Sequence, residues 1–257
     1  TVVGVLVSIV CYRKFWDLDM VGAPAVTTIG DIVTLPFLVV TALIVMDLPF
    51  TGKAILGAIV FVMIILAFVS FKRGTRTMLD VLREGLPLLI PLSLLGITAG
   101  VLYTSRLESL IAAAAVLILI SPFMNGCGSI GGILTSRIGT EMHMGMIDPV
   151  LFPQKTVLKH FGENYIYSII FLPLMGVIAH FAAVLLGITT PGLLMMVLIS
   201  LLAGILVVTA MNLLGYYTAV ITYRKGFDPD NFGVPVVTSS IDLIGATCLL
   251  AVMMFLL

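Results

Sequence analysis

Long apolar runs, separated by short polar clusters, organise this chain from end to end. A helix needs about 20 mostly apolar residues to cross a bilayer. Eight stretches fit that pattern: 1–12 (short), 25–46, 53–71, 85–104, 107–136, 164–187, 191–222 and 233–257. Gly and Pro inside them are compatible with spanning helices. The fifth holds "SPFMNGCGSIGG", too rich in Pro and Gly for a smooth helix, so a broken segment is expected there.

The connections between the runs carry an uneven charge. Odd connections hold Arg13, Lys14, Lys72, Arg73, Arg76, Arg83, Arg137, Lys155, Lys159, Arg224 and Lys225. Even ones hold Lys53 and Arg106. The positive-inside rule makes the basic side cytoplasmic and puts the C-terminus outside. A wrong span count would have mixed the two groups, so the bias also supports the count.

Composition narrows the class. Of 257 residues, 60% are hydrophobic and 10% charged, and mean hydropathy is +1.23. A water-soluble domain of this size does not have such values; a multi-pass protein of a cell membrane does. The net charge of zero gives no field that would attract nucleic acid. No zinc spacing, GxGxxG or P-loop is present. Cys11, Cys127 and Cys248 are scattered through apolar sequence, as packing residues are.

A repeat lies within the chain. "YRKFWDLDMVGAPAVTTIGD" (12–31) and "YRKGFDPDNFGVPVVTSSID" (223–242) share ten of twenty residues without a gap. Six of the ten are polar or charged, so membrane composition does not explain them. The repeat matches Asp31 with Asp242, each seven residues after a proline, or about 10 Å into its span. An even number of spans separates them, so the two copies run in the same direction, as a parallel repeat. Residues 85–257 hold five spans ending in the Asp242 helix. The Asp31 helix has one partial span before it. The first copy is therefore incomplete, and a further N-terminal segment or another copy of the chain is expected to supply the rest.

Ionisable residues inside a membrane are costly and mark function. A single aspartate could be structural, hydrogen-bonded to a neighbouring helix; a matched pair points further. Two carboxylates facing one pseudo-twofold axis repel each other unless a cation or proton lies between them. The surrounding groups offer oxygen: Thr27, Thr28, Thr238, Ser239 and Ser240, with Asn125, Ser129 and glycine carbonyls from the fifth segment. Oxygen ligands suit a hard cation such as Mg²⁺, which keeps much of its water. Gly126, Gly128, Gly131 and Gly132 allow close helix approach or unwound backbone. Asp17 and Asp19, matched by Asp228 and Asp230, could draw divalent cations to a cytoplasmic mouth. They could equally be solvated loop residues and helix caps. His143, His160 and His180 show no ligand spacing and read as packing or interface residues.

"NGCGSIGGILTSRIGTEMH" followed by "DPDNFGVPVVTSSIDLIG" resembles the MgtE magnesium transporters and their animal solute-carrier relatives. "SRIGTEMH" and "APAVTTIGDIVTL" are closer to the animal branch, which carries two MgtE-like domains in one chain. The resemblance implies an all-α membrane protein, a polytopic helical bundle with a parallel repeat of five-helix domains. Residues 1–47 would be the tail of the first domain, 48–83 a connector span and cytoplasmic loop, and 84–257 the second domain.

The same resemblance implies that Asp242 and Asp31 recognise the ion. Thr238, Thr27, Gly245, Asn125, Gly126 and Ser129 would line its pathway between the repeats. It also implies Mg²⁺ as cargo, with Na⁺ as a counter-ion in the exchange mode that the animal branch suggests and none in the channel mode of the bacterial one. The chain departs from the pattern in lacking a soluble regulatory domain, in reading "NGCGS" for a "GNAGS" type motif, and in placing Thr34 where a glycine matching Gly245 is expected. The alternative is an intramembrane Mg²⁺-dependent enzyme such as a prenyltransferase, with "DPDN" as its acidic loop.

Overall fold

The computed structural model describes residues 2–16, 18–72, 76–106, 110, 113–228 and 232–257. All regular structure among them is helical: α1 (Val2–Lys14), α2 (Leu18–Asp47), α3 (Phe50–Lys72), α4 (Arg76–Ser105), α5 (Ala114–His143), α6 (Lys155–Leu185), α7 (Leu193–Lys225) and α8 (Val234–Leu256). In hydrocarbon every backbone polar group must be satisfied within its own segment, which a helix does and an open strand does not. Seven of these helices, α2 to α8, are long and apolar enough to span. With 13 residues, α1 is shorter than a span requires.

The helices outrun the apolar stretches that predict them. The chain is already helical at Leu18, Arg76 and Lys155, seven to nine residues before the apolar runs begin. With 30 to 33 residues, α5, α6 and α7 reach about 45–50 Å. The segment expected to be broken is instead continuous helix through Pro122 and all the glycines of "NGCGSIGG". Its glycines are poor helix formers, but Gly126, Gly128, Gly131 and Gly132 are buried against neighbouring helices. That packing offsets the propensity cost.

The chain divides into two compact units, Thr1–Glu84 and Gly85–Leu257. In the first, α1 packs on α2, with Cys11 buried. In the second, α7 packs against α5, α6 and α8, and α5 also packs against α6 and α8. The core is apolar: Leu119, Phe123, Leu172, Met196, Ile199, Val207, Met211, Ile241 and Leu249 are fully buried. Small residues set the close approaches. A Cβ on Gly176 would stand 2.6 Å from the Met196 carbonyl oxygen, and one on Gly204 would stand 2.5 Å from Leu172 Cδ1. Two polar bonds also tie α6 to α7, the first buried and the second exposed. Asn164 Nδ2 donates to Asn212 Oδ1 (3.0 Å), and the Tyr165 and Thr209 hydroxyls pair at 2.7 Å.

The ends of α1 and α7 share one cap. Gly226 follows α7 at φ 68°; its N–H donates to Tyr223 O, and Phe227 N–H donates to Thr222 O. Phe15 follows α1 at φ 55°; its N–H donates to Tyr12 O, and Trp16 N–H donates to Cys11 O. Every residue in the second set lies 211 before its counterpart, the offset of the sequence repeat. The left-handed residue satisfies the last carbonyls of the helix. Glycine adopts it freely and phenylalanine at a cost.

Candidate ion site

In the second unit, α5 and α8 meet along a seam of small residues. A Cβ on Gly128 would contact Thr238 Cγ2 at 3.8 Å, and one on Gly132 would contact Val234 Cγ1 at 3.3 Å. On Gly131 it would collide with Ile241 Cδ1 (2.5 Å) and Met211 Sδ (2.8 Å), and on Gly245 with Met124 Sδ (2.6 Å). These contacts fix an antiparallel register. Met124 is level with Gly245, and Gly131 with Ile241. Asp242 is thereby level with the turn of α5 from Asn125 to Ser129.

Asp242 sits beside this seam and is exposed on the surface of the unit, while its neighbours Ile241 and Gly245 are buried. Asn125 and Ser129, one turn apart on α5, are half-buried. Thr238 turns its methyl to the glycines. Its hydroxyl donates to its own helix, at Val234 O (3.0 Å) or Pro235 O (3.2 Å), which leaves the oxygen able to accept. Gly126 does not join the seam. Its Cβ position meets Phe171 and Leu172, so it faces α6.

Asp228 is exposed at the foot of α8. Asp17 and Asp230 lie outside the described residues, as do the side chains of Asp19, Thr27 and Asp31; Asp31 itself falls within α2.

Two features were missed by the sequence reading. Tyr103, near the end of α4, packs against the main core and lies within electrostatic range of Asp242 and Cys127. At the basic end of the bundle, His160 stands between two carboxylates. Its Nε2 is 3.0 Å from Glu141 and its Nδ1 is 3.3 Å from Glu163. Arg137 reaches Glu163 at 3.7 Å and Lys159 reaches it at 4.0 Å. His143 and His180 bond to Gly139 O and Thr190 Oγ1, as packing residues do.

Residues 120–252 match the MgtE family, described as divalent cation transporters. That stretch is more than half of the chain and contains the whole seam. The chain belongs to the MgtE family. It is a multi-pass membrane protein of a transporter family, and not an enzyme, which overturns the prenyltransferase alternative. The chain is also 26% identical to solute carrier family 41 member 3 of Mus musculus, over 263 residues covering 95% of this chain and 52% of that protein. It thus spans about half the length of this relative, in agreement with the animal-type resemblance. No solved structure matches the chain.

Proposed function

We propose that this chain carries divalent cations, Mg²⁺ above all, across a membrane, with Asp242 as the recognising carboxylate and Asp31 as its counterpart in the first copy. The observation that carries the reading is a carboxylate presented on the surface of a spanning helix, beside a glycine seam, within the stretch that matches the family. A charge at that depth is retained for a partner that neutralises it.

The ligand chemistry supports a hydrated ion. Among the described residues no three His, Cys, Asp or Glu side chains come together as a ligand set. One carboxylate with the oxygens of Asn125, Ser129 and Thr238 around it suits an ion that keeps most of its water, as Mg²⁺ does. The pathway would run between the two copies, with Thr27 as the first-copy equivalent of Thr238 and Gly245 keeping the seam close. Asp17, Asp19, Asp228 and Asp230 would gather cations at its mouth. The basic loops would face the cytoplasm and the C-terminus the outside. The missing part of the first copy would come from a preceding segment or from a second chain.

Uptake of Mg²⁺ into proteoliposomes tests the reading, with Asp242→Asn and Asp31→Asn as variants. Flux is expected to collapse in both; wild-type flux in both would sink the assignment. Repeating the assay with and without an opposing Na⁺ gradient separates exchange from channel flow. Exchange requires the gradient, and a channel is indifferent to it.

A further inference from the structure

The phenolic oxygen of Tyr103 is buried and has no hydrogen-bond partner among the described residues. A hydroxyl held in apolar surroundings is costly unless it is bonded. Its ring is seated against the core, so the hydroxyl is not free to swing out to water. Asp242 is the carboxylate that acts on it electrostatically, with the Cys127 thiol also in range, and Cys127 lies on the turn of α5 that is level with Asp242. Cys248, one and a half turns further along α8, is in range of Cys127 as well. Tyr103 thereby brings to this place a further oxygen that can both donate and accept.

The chemistry of a hydrated divalent cation uses both capacities. Water bound to Mg²⁺ turns its oxygen to the metal and its hydrogens outward, so the site around it must offer acceptors. A phenol can donate its own proton to a carboxylate and accept from such a water at the same time. Resting on the assignment of Asp242 above, we infer that Tyr103 belongs to the ion-recognition site. Once a cation is held at Asp242, the Tyr103 hydroxyl donates to the carboxylate and accepts a hydrogen bond from the first hydration shell of the ion. Tyr103 is a positioning residue for the carboxylate and an added acceptor for the ion's water. It brings α4 into a site that α5 and α8 otherwise form.

The test is Tyr103→Phe in the full chain, which keeps the ring and removes the oxygen. Two measurements are made: Mg²⁺ uptake in proteoliposomes, and the Mg²⁺ concentration that half-protects the purified protein from thermal unfolding. Loss of one hydrogen bond is expected to raise both the apparent KM and the protection midpoint by about 3- to 10-fold. The melting temperature without Mg²⁺ should stay level or rise, because a buried hydroxyl has been removed. Asp242→Asn, measured alongside, should abolish the Mg²⁺ response.

If Asp242→Asn abolishes the response while Tyr103→Phe keeps the wild-type KM and midpoint, the Tyr103 inference is overturned and the Asp242 site stands. A lower melting temperature with an unchanged midpoint also overturns it, since packing alone would explain that result. If Asp242→Asn responds like wild type, the site itself fails and the role of Tyr103 fails with it.

Discussion

The α1–α2 and α7–α8 hairpins carry the same motif and the same cap, yet their surroundings differ. From Thr28 to Asp47 the described side chains of α2 are exposed or nearly so. Along α8, Val237, Ile241, Gly245, Ala246 and Leu249 are buried. The motif therefore sets what is local, namely where the first helix stops and how the chain turns. What each second helix buries depends on the helices packed against it. Position 245 shows this directly. Gly245 faces Met124 of α5 with no room for a Cβ, whereas its counterpart Thr34 is exposed and tolerates a side chain.

The largest expected effect tests whether the copies act as equals. Asp242→Asn and Asp31→Asn should each lower Mg²⁺ uptake by at least about tenfold, the scale of losing one close charge interaction. A collapse in one variant and wild-type flux in the other would break the equivalence.

Next comes packing. Gly131→Ala forces a methyl onto Ile241 and Met211 and should destabilise the protein by about 1–3 kcal/mol. Gly30→Ala in α2 enters open space and should be neutral or stabilising by up to about 1 kcal/mol. Thermal unfolding in detergent measures both; equal effects would show that α2 is packed as tightly as α8.

Within the second unit, Asn164→Leu leaves the Asn212 amide oxygen without its donor and should cost about 1–2 kcal/mol in the same assay.

The smallest effect concerns the caps. Phe15→Gly relieves a left-handed phenylalanine and should stabilise by roughly 0.5–1 kcal/mol, while Gly226→Ala should destabilise by a similar amount. The same sign for both would mean that the two caps are not equivalent.

The number of long apolar helices was legible because each run of about 20 residues has one solution in lipid. The matched aspartates were legible because ten identities at one offset are visible without a structure. Helix ends were not, since hydropathy marks the hydrocarbon and helices continue past it. That error hid the charge cluster. Lys159, His160 and Glu163 have the i, i+3 and i, i+4 spacing of one helix face, but they fell in a stretch read as loop. The continuity of α5 was missed because glycine was weighed by propensity, while burial against α6 and α8 decided it. Tyr103 carried no signal, because it and Asp242 lie on helices far apart in sequence.

The overrun of α6 has one more consequence. Glu163 and His160 are joined to Arg137 and Glu141 across the α5–α6 contact. Beyond them, residues 165–185 give about 31 Å of helix, close to the thickness of the hydrocarbon layer. The cluster therefore serves as a float line. Sinking the bundle would drag bonded charges into oil, and lifting it would strip lipid from Ile166, Ile169 and Ile170, which are exposed on α6. Both displacements are opposed, so this charge cluster limits how far α5 and α6 can slide along the bilayer normal.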